Sequence, residues 1–432
     1  MEFELRNVFV LANRWGLMFI ANLPLLYLLA AKNQPLKLLT GRSYESLNIF
    51  HRRLGELLCF QALLHGLAMT ATWYIIIRPT GRLNFTQYIT RPVTYFGLGA
   101  FFSYEILYLT ALSSFRQRCY ELFLALHIFL QAIALVFVYY HHRSCKVYVG
   151  AALLIFLVDR LIFRLFRKSA TLTASAKIME DGETVKLSTN LPLLKSGASI
   201  LSGWKATDHI FITVSALGKE HALQAHPFTI SSAAPTSTDT SATLELLIRA
   251  QSGFSRDLLN YVHRHNSFTL RLDGPYGSLH ARRLLSDSSL ALVIAGGSGI
   301  AVAWPLVTHL IHLSSQSPSS SLEDPPQNKQ KIVLIWIIHQ DTHISWLSPS
   351  SIEYARSNGV EIVIPRPTEE VGRPDLKAMI LSVVDKYGGE REARTGVVAS
   401  GPDGMGRLVR NTCARLVGDG KDVGLVIEKF GW

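Results

Sequence analysis

Up to about residue 166 almost every window of the sequence is Leu, Ile, Phe, Ala and Tyr, and from Arg167 onward Ser, Thr, Gly, Asp and Lys return at ordinary frequency. That break constrains the fold more than any other feature. A run of about 20 apolar residues satisfies its backbone in hydrocarbon only as a helix, because a helix closes its hydrogen bonds within itself. Five such runs are read, at about 8–31, 54–77, 93–115, 119–140 and 147–166. The first is too long for the short core of a cleavable signal and reads as a span. A chain of 432 residues with such a front part is expected to hold two or three domains: an α-helical membrane bundle over 1–168, then soluble domains over 169–285 and 286–432.

The formal charge of +11 does not point to nucleic acid, because the basic residues lie in short loops between apolar runs rather than on one face. If the C-terminal half is cytosolic, the inner loops hold Lys32, Lys37, Arg42, Arg52, Arg53, Arg116, Arg118, Arg160, Arg164, Arg167 and Lys168, and the outer loops only Arg78, Arg82, Arg91, Arg143 and Lys146. This follows the positive-inside tendency. Asn84-Phe85-Thr86, a glycosylation sequon, falls in an outer loop. Cys59, Cys119, Cys145 and Cys413 are scattered without a C-x-x-C pair, so neither a disulfide framework nor a cysteine metal site is indicated.

From 170 to about 280, short alternating stretches such as Ala176-Lys177-Ile178-Met179 and Ile210-Phe211-Ile212-Thr213-Val214 predict a small β-barrel with one helix near 255–263. From Leu290 an apolar strand, a Gly-rich turn and a helix are followed by strands at 332–338 and 360–364, an α/β nucleotide-binding pattern. The Ser-, Thr- and Pro-rich stretches 233–242 and 314–330 are expected to be surface loops.

Within the apolar part, His51 and His65 are fourteen residues apart, and so are His127 and His141. Fourteen residues return to within roughly 40° of the same helix face and advance about 21 Å. Each helix therefore presents two imidazoles in one direction at two depths. Two such helices facing each other supply two axial pairs, one haem near each leaflet. A single histidine in a span is more often a polar residue satisfied by a neighbour, and the repeated interval is what argues against that here. His142 adjoins His141, which alone keeps the interval.

This arrangement resembles the ferric reductase transmembrane domain shared by ferric-chelate reductases and NADPH oxidases, carried by Leu47-Asn48-Ile49-Phe50-His51-Arg52-Arg53-Leu54-Gly55 and by Leu126-His127-Ile128-Phe129. His226-Pro227-Phe228-Thr229-Ile230-Ser231 resembles the flavin signature of the ferredoxin reductase superfamily, in which Pro and an aromatic ring hold extended backbone against the isoalloxazine and Thr229 addresses its polar edge. Arg249 and the turn Gly253-Phe254-Ser255-Arg256 ahead of a helix offer backbone N–H groups to the FAD pyrophosphate. Asp273-Gly274-Pro275-Tyr276-Gly277 is similar to the family's G-P-Y-G turn. Gly296-Gly297-Ser298-Gly299 after the apolar strand, with Ser400-Gly401-Pro402 later, resembles the paired nicotinamide loops. The terminus Glu428-Lys429-Phe430-Gly431-Trp432 resembles the fungal ferric reductase ending, whose last ring stacks over the flavin until nicotinamide displaces it.

The resemblance implies FAD, NADPH and two b-type haems, with the haems held by His51 and His127 and by His65 and His141. It also implies ferric or cupric chelates as acceptors, a multi-pass protein of the plasma membrane, and an iron permease or ferroxidase system as partner. Three departures stand beside it. Ser400 replaces the family's cysteine, where a hydroxyl is left to position the nicotinamide. His339-Gln340 stands where arginine meets the ribose phosphate, which leaves NADPH against NADH open. The helix that usually precedes the first span is missing, as in a shortened chain or a natural variant, and five spans put the N-terminus outside. Two rival expectations are an oxidase reducing oxygen to superoxide and a catalytically silent membrane subunit.

Overall fold

The computed structural model describes residues 5–33, 36, 39, 44–161, 169–194, 197, 199–222, 224–316, 330–388 and 394–428. They fall into two compact units, 1–163 and 164–432.

Among the described residues, unit one is a bundle of five main helices: α1 (Leu5–Ala30), α2 (Tyr44–Thr72), α3 (Pro92–Ala111), α4 (Tyr120–His141) and α5 (Cys145–Leu157). α2 continues through a π-turn, Trp73–Ile77, and a 3-10 turn, Arg78–Thr80, and stops at Gly81, whose φ of 66° is left-handed. A short capped helix, Phe85–Ile89, then leads into α3, with the Asn84 and Gln87 side chains each bonding the other's backbone N–H. Three helices, Asn7–Ala30, Leu47–Thr80 and Leu122–His141, are long and apolar enough to cross a membrane. Of the other two expected spans, α3 is a complete helix of 20 residues, while the helix of α5 runs through a π-turn to residue 161, beyond which 162–168 lie outside the described residues.

α1 packs on α2 and α5, and α3 packs on α2 and α4. Leu23, Leu58, Ala134 and Ala152 are at or below 1% exposure in the centre, and small Ala residues let backbones approach as they do in lipid. Buried hydroxyls are satisfied inside their own helix, Ser103 by the Gly99 carbonyl at 2.7 Å and Thr110 by that of Ile106 at 2.8 Å.

Unit two begins with a six-stranded antiparallel sheet in the order β4 (His226–Thr229), β3 (His209–Thr213), β6 (Ser267–Tyr276), β1 (Ser169–Ile178), β2 (Thr184–Pro192), β5 (Ser241–Arg249). A bridge between Ile230 and Leu246 closes it into a barrel. Alternation sends Leu244, Leu246 and Ile248 inward at 1% exposure each, and α6 (Phe254–Val262) caps the core with Phe254, Leu258 and Leu259.

The chain then forms a five-stranded parallel sheet in the order β11 (Val423–Glu428), β10 (Thr395–Ser400), β7 (Leu290–Gly296), β8 (Lys331–Ile337), β9 (Glu361–Val363). Crossovers run through α7 (Ile300–Gln316), α8 (Pro349–Ser357), α9 (Leu376–Tyr387) and α10 (Asp403–Gly418). β7 is central and covered on both faces, which is why its sequence is an unbroken apolar run. Strand order reverses between β7 and β10, the switch point at which such sheets open a crevice. The stretch 233–242 is a turn whose last residues enter β5, and most of 314–330 lies outside the described residues.

Candidate functional site

The histidine intervals place the four rings in two facing pairs. His51 and His127 have ring centres 6.4 Å apart, and His65 and His141 6.1 Å apart, with the planes of each pair at 67° and 84°. Early meets early and late meets late, so α2 and α4 run the same way and α3 returns between them. α2 and α4 do not pack on each other along their lengths. They meet across their imidazoles.

Three of the rings are fixed by backbone carbonyls of the neighbouring helices: His51 Nδ1 by Leu26 at 3.0 Å, His65 Nδ1 by Ala12 at 2.8 Å and His141 Nδ1 by Val93 at 2.7 Å. A carbonyl only accepts, so each Nδ1 carries the proton and each Nε2 keeps its lone pair. His127 Nδ1 is buried with no partner. Two metal–imidazole bonds of about 2 Å, plus about 1 Å from each nitrogen to its ring centre, add to about 6 Å, the spacing of both pairs. Among the described residues no group of three or more His, Cys, Asp or Glu side chains could hold a metal ion, so each pair supplies two protein ligands and no cage. That donor set fits the axial pair of a haem.

Two glycines make room for the upper pair. A Cβ on Gly16 of α1 would lie 3.0 Å from His65 Nδ1, and one on Gly97 of α3 would lie 2.7 Å from His141 Cε1. Sequence reading passed over both. Their only signal was an isolated Gly inside an apolar helical run.

In the barrel, the motif His226-Pro227-Phe228-Thr229 is β4 itself, paired with β3 so that His226 faces Ile212 and Thr229 faces His209. Arg249 is the last residue of β5, and the Ile230–Leu246 bridge brings that end of β5 alongside the motif. Its guanidinium reaches Glu183 at 3.4 Å. The His226 ring stacks on Phe254 at 4.0 Å and 18°, which ties the motif to the first turn of α6. Gly253 caps that helix with φ 57°, ψ −135°, and nothing stands within 4 Å of where its Cβ would be, so the helix N-terminus is open to an anion. Ser255 Oγ accepts from the Gln251 N–H and donates to the Ser252 carbonyl, so it shapes this turn. Burial, reinforced by nearby His221, pushes the His226 imidazole down to about 4, and its Nε2 is buried without a partner. His221 Nε2 in turn meets Asp257 Oδ2 at 3.1 Å, a pair that the sequence did not announce. At the far end of β6, Gly274 has φ 155° and a Cβ there would meet Ile210 at 2.9 Å, and Tyr276 donates to Asp273 at 2.7 Å.

At the switch point the two glycine loops touch. A Cβ on Gly299 would lie 2.0 Å from the Ser400 carbonyl oxygen, and one on Gly401 would lie 3.1 Å from Gly296 Cα. Gly297 differs: its φ is 54° and the space beside it is open. Three glycines therefore serve loop-to-loop contact and one serves the turn over which a phosphate can pass. Trp336, fully buried on β8, donates its indole N–H to the Gly297 carbonyl at 3.1 Å and holds the loop from below. Ser298 is half-buried in the 3-10 turn Gly297–Gly299 that leads into α7, and Pro402 precedes α10 with ψ 150°.

Three family models match in this order: a ferric reductase like transmembrane component over 15–138, an FAD-binding domain over 171–280 and a ferric reductase NAD binding domain over 289–364. In chain order these are the transmembrane, FAD-binding and NAD-binding domains of ferric reductases. It is similar to ferric reductase transmembrane component 4 of Saccharomyces cerevisiae, 27% identical over 315 residues that cover 72% of this chain and 40% of that protein. It is likewise similar to ferric/cupric reductase transmembrane component 2 of the same yeast, at 27% over 320 residues, 72% and 41%. A probable cell surface ferric reductase, kap2, of Aspergillus oryzae is 26% identical over 351 residues, 78% and 44%. The chain thus spans about two fifths of the length of the curated relatives it matches.

The remaining ferric reductase positions are less direct. Ser400, expected to position a nicotinamide through its hydroxyl, is 1% exposed and donates to the Glu428 carbonyl at 3.0 Å, so the hydroxyl ties β10 to β11 and shapes its loop through the backbone. His339 Nδ1 bonds Thr368 Oγ1 at 3.0 Å at the end of β8. Trp432 lies outside the described residues.

Proposed function

We propose that this chain belongs to the ferric reductase family and carries electrons from cytosolic NADPH through FAD and two b-type haems to ferric or cupric chelates on the other side of a plasma membrane. The observation that carries the reading is the pair of imidazole pairs, at 6.4 and 6.1 Å, one at each level of the bundle. A haem with two imidazole ligands takes up and releases one electron at a time. His51 with His127 and His65 with His141 would hold the two groups. The Leu26, Ala12 and Val93 carbonyls keep the ligating nitrogens deprotonated, and Gly16 and Gly97 leave the rings their space.

In the soluble unit, Phe228 and Thr229 would face the flavin ring, with Gly253, Ser255 and the open N-terminus of α6 taking the pyrophosphate. Gly296, Gly297, Ser298, Gly299, Gly401 and Pro402 would cradle the nicotinamide dinucleotide, and Trp432 would cover the flavin between turnovers. Residues 1–168, 169–285 and 286–432 are assigned as haem, flavin and nucleotide domains, with the latter two cytosolic. An iron permease or ferroxidase system would consume the reduced metal.

The test is His65→Ala, with NADPH-dependent ferric reduction by intact cells measured beside flavin reduction and the dithionite-reduced haem spectrum in membranes. Loss of the first with survival of flavin reduction and about half the haem signal is expected. An unchanged cellular rate, or membranes with no b-type spectrum in the unsubstituted protein, would sink the reading. Superoxide accounting for all NADPH consumed would replace the metal with oxygen.

A further inference from the structure

From Leu57 to Tyr104 and from Leu122 to Val158 the chain contains no Asp or Glu. Both stretches pass through the end of the bundle where His65 and His141 stand. The turns there carry Arg78, Arg82, Arg91, Arg143 and Lys146, all exposed. Arg91 caps α3 two residues before the Val93 carbonyl that fixes His141, and Arg143 follows His141 by two. Arg78 lies over the Tyr74 ring at 4.9 Å and Lys146 over Tyr139 at 5.1 Å. Among the described residues, none of the five pairs with a carboxylate. The opposite end differs: Arg53 pairs with Glu56 at 2.7 Å, and Asp159 binds Asn33. Glu2 and Glu4, ahead of α1 in the sequence, lie outside the described residues.

We infer that the acceptor reduced at this end is an anionic metal chelate, a polycarboxylate-type complex of ferric or cupric ion, drawn in by these five side chains. The inference rests on the proposed electron relay and names the substrate class at its exit. Uncompensated charge of one sign beside a low-dielectric slab produces a potential of several kT and raises the local concentration of opposite charge by about 10- to 1,000-fold. It depletes cationic complexes by the same physics. The chemistry balances without a further reactant. NADPH gives up two electrons and leaves NADP⁺ and one proton in the cytosol. Each of two chelates takes one electron at its metal, no bond breaks, and each complex gains one negative charge.

The experiment uses the full chain, loaded with haem and flavin, in nanodiscs of phosphatidylcholine, whose headgroups carry no net charge. Hexacyanoferrate(III) and hexaammineruthenium(III), outer-sphere oxidants of opposite charge, are compared as ionic strength rises from about 10 to about 200 mM, across which the screening length falls from about 30 Å to under 10 Å. With NADPH as donor, kcat/KM for the anion is expected to fall roughly tenfold and that for the cation to rise. Ferric citrate follows the anion. R82E/R91E/R143E exchanges the two slopes, and R82Q/R91Q/R143Q, which introduces no new charge, flattens both. Flavin reduction by NADPH stays unchanged throughout. Equal salt slopes for the two oxidants overturn the inference, as do slopes untouched by either triple variant, the outcome if lipid phosphates hold these side chains. Reduction of flavin with no reduction of either oxidant defeats the relay itself, and the inference with it.

Discussion

In the soluble unit β7 puts Leu290, Leu292 and Ile294 at zero exposure between two layers of helix, whereas in the membrane unit Phe129, Leu154 and Val147 are 62, 63 and 77% exposed. The buried positions of the membrane unit include Gln61, Thr72, Ser103 and Thr110. The inversion follows from the solvent. Hydrocarbon rewards an apolar exterior and leaves the few polar side chains to the interior of the bundle, where they sit among an otherwise apolar core. Both units nonetheless make close approaches at their candidate sites by the same means, the omission of a Cβ. In the bundle the missing atom frees an imidazole. In the parallel sheet it lets two loops touch at three glycines while a fourth, Gly297, stays open.

Filling those gaps is the sharpest way to break the parallel. Gly97→Leu drives a side chain into the space of His141, whose Cε1 would be 2.7 Å from the new Cβ. Haem per chain is expected to fall from two to about one by the pyridine haemochrome assay, and chelate reduction across the bilayer by roughly a hundredfold, at the upper end of what displaced second-shell support costs. Flavin reduction by NADPH is the control that stays. Retention of both haems would mean that the glycine serves helix packing alone.

In the soluble unit Gly299→Ala places a Cβ 2.0 Å from a backbone oxygen that has no flexible end to swing away. A cost of about 3 kcal/mol in thermal unfolding of the full chain is expected. Gly297→Ala meets open space and only a left-handed φ, so about 1 kcal/mol is expected. Equal losses at the two positions would erase the distinction between contact glycine and turn glycine.

The intervals that bring the imidazoles into two facing pairs were legible because a helix converts spacing into direction without help from anything else. The barrel, the parallel sheet and the order of the motifs were legible because period-2 alternation and unbroken apolar runs are local signals. What lay beyond reach depends on a second element. Gly16 and Gly97 matter only through imidazoles 49 and 44 residues away, and nothing in the local sequence distinguishes them from Gly66 or Gly99. The four glycines of the nucleotide loops look alike until β10 is laid beside β7. Ser400 reads as a cofactor contact from its place in the motif, yet its hydroxyl is turned to β11. The His221–Asp257 pair joins a four-residue helix to α6, a contact that no spacing rule foretells.

Trp336 tests how far support from below matters. Trp336→Phe keeps most of the buried ring and removes the N–H that the Gly297 carbonyl accepts at 3.1 Å. Leaving that acceptor unpaired is expected to cost about 1–2 kcal/mol and to raise the KM for NADPH several-fold with FAD affinity unchanged. An altered FAD affinity would show that barrel and sheet respond together.

The smallest effect should come from His226. In flavin-free protein, burial first and His221 second hold its folded value at about 4, against an ordinary 6.5. Between those values the unfolded chain binds a proton that the folded chain refuses, so stability is complete above about 6.5 and declines as pH falls towards about 4. His226→Gln removes that proton from the balance and is expected to flatten the dependence of melting temperature on pH between 7 and 4.5, leaving the rest of the acid slope in place. If His226→Gln leaves the slope unchanged, the imidazole is reached by water in the flavin-free state, and its stack on Phe254 opens more readily than the 4.0 Å contact suggests.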